Sequence, residues 1–367
     1  MLRLPGQGGW RAAGGAPEDL FVRVRIRPSG KPGVRIGRLA AIAVVALSLV
    51  VALVALLRSG QSDESGTAQP AVLPPVASPS APASAVPATT RPAALSPSRY
   101  QAALNALDAA VAGRIERVRA ARTPGALSTA LARLEQSVRG QTSKLRSLAP
   151  PVAVSAEHVR VVRALDTLGS DVAGLQAAAE AAAVCIGSAG TASIGRSEGA
   201  AEARAAAARL AAADRAHRYH VGAFLPQKTR AATRRLRNGT LVKRPNGGHG
   251  ELSIDNGGSA DAVISLVRVR AKKPSMTVYV RAGDSFTVRR ISNGTYRIYM
   301  TTGADWDKTA RLFSRDCSFE AFDEPAEFTT RTTSTAIQYT VHEITVTPVA
   351  GGNATTSGVD PGAFPVP

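Results

Sequence analysis

The densest group of side chains able to do chemistry is acidic and lies late in the chain. It comprises Asp305-Trp306-Asp307, then Asp316, Glu320, Asp323 and Glu324. Carboxylates at D-x-D spacing in a loop offer the hard oxygen ligands that Ca²⁺ takes, which makes Asp305 and Asp307 weak metal candidates. The glycine and spacing of an EF-hand loop are absent. Two carboxylates facing each other are also the machinery of glycoside hydrolysis. The catalytic alternative is therefore a hydrolase of cell-envelope glycan acting through Asp305, Asp307, Asp316 and Asp323. It requires these groups to converge in one cleft, with at least one pKa strongly raised. Turn chemistry explains the same residues more simply, because Asp caps turns and faces solvent. Trp306, Phe313, Phe319 and Phe322 read as packing at a sheet edge, and an exposed Trp306 could also meet a sugar ring.

Cys185 and Cys317 are the only cysteines among 367 residues. Outside the cytoplasm two cysteines favour a bridge, here the candidate Cys185–Cys317; free thiols or intermolecular pairing are the alternatives. Closing so long a loop would contribute on the order of 4 kcal/mol. A cysteine nucleophile would want a base, and His342 is the only histidine in the strands expected below. His217-x-x-His220 is a weak metal signal. There is no phosphate-binding Walker loop, dinucleotide fingerprint, G-x-S-x-G or zinc-protease helix, so no cofactor is expected.

These residues hang from a chain organised around Leu39 to Leu57, nineteen residues without charge or proline. As a helix this run spans roughly 28 Å, close to the ~30 Å hydrocarbon core of a bilayer. Arg38 and Arg58 bracket it. Residues 1–38 carry eight basic and two acidic residues, which favours a cytoplasmic N-terminus and an extracellular C-terminus. A cleaved signal peptide is the main rival, with Gly66-Thr67-Ala68 as a small-residue cleavage site far beyond the apolar run. A buried soluble helix is the remaining alternative.

The expected plan follows in order. Residues 1–38 form a basic cytoplasmic tail, mostly disordered, in which Phe21 to Arg27 alternates apolar and basic like a strand but is too short to fold alone. Residues 39–57 form the transmembrane helix, and 58–96 a disordered Pro/Ala/Ser linker. Residues 97–220 form an α-helical bundle of three to four helices. Its apolar stripes are Tyr100, Leu104, Leu107, Val111, Ile115, Val118; then Leu127, Leu131, Leu134, Val138, Leu145, Leu148; then Val159, Val162, Leu165, Leu168, Val172, Leu175. Thr123-Pro124 and Pro150-Pro151 punctuate them. A dimeric coiled coil is the alternative. Cys185 to Gly190 reads as a helix end and loop, and Ser197 to Ala216 as an Ala-rich helix. Residues 221–247 are a basic connector with seven basic residues and no acid.

Residues 248–350 switch to period two. Strands are expected at 251–254, 262–267, 276–280, 285–288, 295–300, 327–330 and 337–346, separated by turn signals such as Asn293-Gly294. Seven short strands at this spacing imply a β-sandwich or barrel, and an all-β sandwich is the expectation. Residues 351–367 read as an irregular tail.

The chain carries a formal charge of +18 with 4 % aromatic residues. The charge sits in the tail, the helical region and the connector; residues 248–367 hold twelve basic and thirteen acidic residues. Because most basic residues would lie outside the membrane, no nucleic-acid partner is expected. Lipid headgroups or an anionic envelope polymer are the counter-charges that fit.

In the β region Asp255-Asn256-Gly257-Gly258, Asp261-Ala262-Val263, Gly294-Thr295-Tyr296 and Gly303-Ala304-Asp305-Trp306-Asp307 stand in order. Phe313-Ser314-Arg315-Asp316-Cys317-Ser318-Phe319 and Phe322-Asp323 complete the pattern. It resembles the C-terminal domain of a family of uncharacterised membrane-anchored or secreted proteins of high-GC Gram-positive bacteria. The resemblance covers the last third of the chain and implies location and domain plan, with no activity attached. The expectation is a membrane-anchored extracytoplasmic module, non-enzymatic, that binds an envelope protein or glycan.

Overall fold

The structure is a computed structural model that describes residues 22–28, 93–346 and 354–367. The apolar run Leu39–Leu57 and the linker up to residue 92 lie outside the described residues. Among the described residues, no helix is long and apolar enough to cross a membrane. The first element is a strand, β1 (Val22–Pro28), which joins a sheet built much later in the chain.

Five helices follow among the described residues, one more than the upper expectation. Helix α1 (Pro97–Ala120) starts at Ser96, whose hydroxyl accepts from the Arg99 amide. Helix α2 (Pro124–Arg146) starts at Thr123, which caps the Ala126 amide at 3.2 Å, with Pro124 at the first position, where its missing N–H costs nothing. The first two apolar stripes are buried as their spacing requires, with Leu148 partly so. Pro150-Pro151 and a 3-10 turn at Val152–Val154 reverse the chain into α3 (Ser155–Glu180). Here the stripe differs by one row. Val159 is 54 % exposed, whereas His158 and Val161 are buried. His158 takes the inward place because its ring meets the Tyr100 hydroxyl at 3.1 Å inside the bundle.

Helix α4 (Gly187–Arg196) stands where a loop was expected. Its sequence GSAGTASIGR has poor helix propensity, so packing must supply its stability. A Cβ at Gly187 would lie 1.9 Å from the Val118 carbonyl oxygen, so α4 can lie flush on the end of α1 only with glycine there. Helix α5 (Glu198–Ala213) follows, capped by Ser197, and buries Leu210 with Ala200, Ala203 and Ala206. The chain then adds Tyr219 and Phe224 to the same helical core.

The β region forms two sheets. The seven-stranded sheet runs β12-β8-β7-β4-β5-β2, with β9 beside β7. Its strands are β2 (Thr240–Lys243), β4 (Asp261–Arg268), β5 (Met276–Val280), β7 (Gly294–Asp307), β8 (Leu312–Phe322), β9 (Ala326–Phe328) and β12 (Thr356–Gly358). The five-stranded sheet runs β1-β11-β3-β6, with β10 beside β11. It contains β3 (Gly250–Asp255), β6 (Ser285–Ile291), β10 (Thr330–Thr332) and β11 (Ile337–Thr345). Pairing is antiparallel except between β11 and β3. The sheets bury one shared core, in which Leu252, Ile254, Val288 and Ile344 meet Ile264, Val278, Ile298 and Met300.

Three expectations change. The acidic cluster is not a loop: Asp305 and Asp307 end β7, and Asp316 and Glu320 lie in β8. The tail after residue 351 is not wholly irregular, since β12 pairs with β8 and Phe364 is buried against Phe319. Residues 22–28 are also structured. β1 pairs with β11 over seven residues, from Val22 opposite Ile344 to Pro28 opposite Gln338. β1 precedes Leu39–Leu57 and β11 follows it. The two strands of one chain can therefore pair only while both ends of that apolar run are on the same side of a membrane.

Candidate binding cleft between the helical and β parts

The helical and β parts are joined by a bond, a strip of backbone and an apolar seam. Cys185 and Cys317 form a disulfide with their Cα atoms 6.4 Å apart. Beside it, the Cys185 amide donates to the Ser314 carbonyl at 2.9 Å and the Cys317 amide to the Ala182 carbonyl at 3.0 Å. The link between α3 and α4 thus runs along β8 like an extra strand. Cys185, Ile186, Leu312, Phe319 and Phe364 close the seam.

On this seam α4 faces the far end of the β7–β8 hairpin, and the connector 221–247 crosses between them. The connector is mostly without regular structure, yet it is fastened at many points. Its Arg234 grips Asp305 with two parallel bonds, Nε to Oδ1 at 2.8 Å and Nη2 to Oδ2 at 2.9 Å. Nη2 also donates to the Ser314 hydroxyl at 3.2 Å, and Nη1 lies 3.6 Å from Asp307. The Arg234 amide donates to Asp305 and its carbonyl accepts from the Trp306 amide, both at 2.9 Å. Asp305 reaches this position from a left-handed backbone, φ 59°, at a register shift in the β7–β8 pairing. The next residue, Arg235, holds Asp261 in the same forked way, and Asp261 also accepts from the Tyr279 hydroxyl and the Ala282 amide.

Asp307 serves the turn and the helix together. It accepts from the Thr309 and Ala310 amides, each at 2.9 Å, and from the Ser188 hydroxyl of α4 at 3.0 Å. Burial is the largest influence on Asp261, Asp305 and Asp307, and it pushes each upward. The bonds just described outweigh it, so all three carboxyls lie below their ordinary pKa.

The rest of the acidic cluster does not join them. Asp316 is exposed, with its amide turned to the Ala183 carbonyl. Asp323 is tied to the C-terminal segment by the Ser357 and Thr355 hydroxyls at 2.6 and 2.5 Å, which lower its pKa. Glu320 accepts from the Thr356 hydroxyl at 3.0 Å, and Glu324 is exposed. Asp323, just past the end of β8, stands eleven residues from Leu312, the residue opposite Asp307, or roughly 35 Å along an extended strand. The carboxylates that glycan hydrolysis would pair are apart, and those with a displaced pKa are lowered, not raised.

The other sequence candidates are also placed. The guanidinium of Arg234 lies against Asp305 and Asp307, where a Ca²⁺ ion would have to compete with a cation already bound. Among the described residues no three or more His, Cys, Asp or Glu side chains are grouped to hold a metal. His217 bonds Asp214 at 2.8 Å while the His220 backbone bonds Gln101, so the two histidines do not act together. Trp306 is 2 % exposed, edge-on to Tyr279 and Phe313, and offers no face to a sugar. His342 donates from Nε2 to the Glu327 carbonyl, 2.9 Å away, and both cysteines are bridged.

What remains open is a cleft of about 280 Å³ between α4, the connector and the hairpin end. Its polar walls are Ser188, Ser193 and Arg196 of α4, Thr229 and Arg230 of the connector, and Arg315 of β8, with the Arg234 hub at its base. A wider hollow of about 530 Å³ adjoins it along Ser188, Ala192 and Thr229. Arg234 satisfies the two carboxylates. Arg196 bonds the Ser193 hydroxyl and Arg315 the Ala232 carbonyl. Among the described residues no carboxylate pairs with Arg196, Arg230 or Arg315. Three guanidiniums beside serine and threonine hydroxyls, with Arg196 and Arg315 half-buried and Arg230 exposed, make an electropositive recess suited to phosphate or carboxylate groups.

The chain has no match among protein-family models, curated proteins or solved structures. The cleft therefore has to be read from its own chemistry.

None of its arginines was singled out in the sequence. The one available signal was the run of seven basic residues without an acid in 221–247, which reads equally as a solvated linker. The partners Asp261 and Asp305 lie 26 and 71 residues from Arg235 and Arg234, beyond the reach of any local pattern.

Proposed function

We propose that this chain is a single-pass membrane protein whose helical and β parts stand outside the membrane as one non-catalytic binding module. The lobe cleft takes anionic groups of an envelope polymer. Leu39–Leu57 is the anchor, with the basic tail on the cytoplasmic side. The observation that carries the reading is the disulfide-fastened cleft itself. A Cys185–Cys317 bridge suits an oxidising compartment. The same bridge holds Arg196 of the helical part against Arg315 of the β part across a recess whose only carboxylates are already paired.

The test is binding of the full chain in vesicles to a soluble polyphosphodiester, poly(glycerol phosphate), against a neutral glycan of equal length. Binding should weaken steeply with salt. It should fall about tenfold in the R230A/R315A variant, a loss of roughly 1.4 kcal/mol. Affinity unchanged in that variant, or equal for the neutral glycan, contradicts the anionic cleft.

A second reading has one observation in its favour. In it Leu39–Leu57 does not span, both ends of the chain share one compartment, and β1 stays on β11. Protease added outside intact vesicles distinguishes the two: it leaves the N-terminal tail whole under the first reading and trims it under the second.

A further inference from the structure

We infer that the end of the β region remote from the helical part is a membrane-contact surface. It is a basic pole, led by the β4–β5 hairpin, that rests on the anionic headgroups of a lipid bilayer. It is separate from the arginine cleft and holds for either placement of Leu39–Leu57.

The near-neutral composition of residues 248–367 hides a separation of charge along the strands. Between Asp261 and Asp305 the chain has one acid, Asp284. It lies at the same end as those two, where Asp261 pairs level with Gly303 and the Asp284 carbonyl accepts from the Asn256 amide. Asp255, level with Ser285, is at that end as well. This is the end at which Asp307 meets α4. The cations gather at the other. The hairpin between β4 and β5 carries Arg268, Arg270, Lys272 and Lys273 within six residues. Arg244 follows Lys243, which pairs level with Thr277 near the start of β5, and Arg290 precedes Ile291, which lies opposite Gly250. All six cations are exposed. Glu324 and Glu327 stand toward one edge of this end, yet among the described residues no carboxylate pairs with any of the six.

The hairpin says what kind of anion fits. Val269, between Arg268 and Arg270, is 44 % exposed. An apolar side chain framed by cations can enter the headgroup boundary while the charges stay on the phosphates. A soluble polyanion would engage the cations and leave the valine without a partner. Arg270 holds a left-handed backbone, φ 79°, where glycine is the easier residue, so the turn keeps its charge at a conformational cost. The course of the chain agrees. β1 ends at Pro28, opposite Gln338, which also pairs with Arg331; the neighbouring Thr330 bonds Asn293 at this same end. Ten residues separate Pro28 from Leu39, a reach of at most about 35 Å. With β1 paired, the apolar run therefore starts close to the pole. With β1 drawn across a membrane, the valine and the six cations carry the inference alone.

The test uses the full chain with Trp10→Phe and Val269→Trp, so that Trp306, 2 % exposed, is the one other indole. It is placed in vesicles of phosphatidylcholine, alone or mixed with phosphatidylglycerol, whose acyl chains carry bromine as a quencher. In the mixed vesicles the emission of the new indole should fall at least about twofold, measured against the W10F chain. In phosphatidylcholine alone it should change little. Adding R270E/K272E/K273E should restore the emission and leave poly(glycerol phosphate) binding at the cleft unchanged. Unquenched emission in the mixed vesicles, or equal quenching in both kinds, overturns the inference. So does release of quenching by poly(glycerol phosphate) at matched phosphate, which makes a soluble polyanion the occupant. Loss of cleft binding in the triple variant overturns the separation of the two surfaces.

Discussion

The junction of the helical and β parts and the pairing of β1 with β11 both bring distant stretches of this chain together, and they are built differently. At the junction, residues 132 positions apart are joined by a covalent bond, flanking backbone bonds and a buried apolar seam. Around it the connector is fixed by forked arginine–carboxylate pairs. At β11 the meeting rests on the pairing of one seven-residue strand. The first arrangement holds geometry constant, which a preformed cleft needs. The second is fastened by no disulfide, since both cysteines lie at the junction.

The largest expected effect is at the junction. A C185S/C317S variant should lose a few kcal/mol of stability, on the order of 4–5 for a loop this long, read by denaturant unfolding. Its anion binding should fall as well, read by the same polyphosphodiester titration. Unchanged binding would mean that the bridge does not hold the cleft.

Next is Arg235. Asp261 has a side chain only 7 % exposed, while that of Arg235 is 46 % exposed. Arg235→Ala leaves a buried carboxylate without its cation, and should cost roughly 2 kcal/mol, below the ~3–5 of a fully buried pair because water reaches the arginine. Arg235→Lys should recover little, since an ammonium cannot fork across both oxygens. Full recovery by lysine would mean that charge, not geometry, holds the connector.

The smallest effect is on pH. The folded pKa values of Asp261, Asp305 and Asp307 are depressed, so their contribution is present above about 4, the unfolded value, and is lost as pH falls through the folded values. His158 and His342 are lowered chiefly by burial. Their unfolded forms take up protons first, so stability should begin a shallow decline below about pH 6.5 and a steeper one below about 4. Unfolding midpoints flat from pH 8 down to 4 would remove the histidine part of this account.

How much could be read beforehand divides along the same line. Helices α1, α2 and α3 were legible because their apolar residues recur at helical spacing between proline stops. Only Val159 was misplaced, by a polar bond between His158 and Tyr100 that spacing does not encode. The strands bearing alternating apolar residues were legible too. Helix α4 was not, because its glycines and serines suit a loop. They become helical only against the backbones of α1 and the connector, where a Cβ on Gly187 or Gly195 would lie 1.9 or 2.5 Å from a carbonyl oxygen. The ends of β7 and β8 were hidden by acids that read as turn residues. The alternation of Val22 to Arg27 was visible, but its partner lies more than 300 residues away, and no local rule reaches that far. The disulfide was a candidate from cysteine count alone, while the arginine cleft it fastens was not.

The most direct measurement is a peptide map of the full chain taken from membranes, alkylated at once and digested without reductant. The account predicts a peptide joining Cys185 to Cys317 and no alkylated cysteine. Both cysteines recovered alkylated and unlinked would contradict an extracytoplasmic module whose cleft is fastened across its two parts.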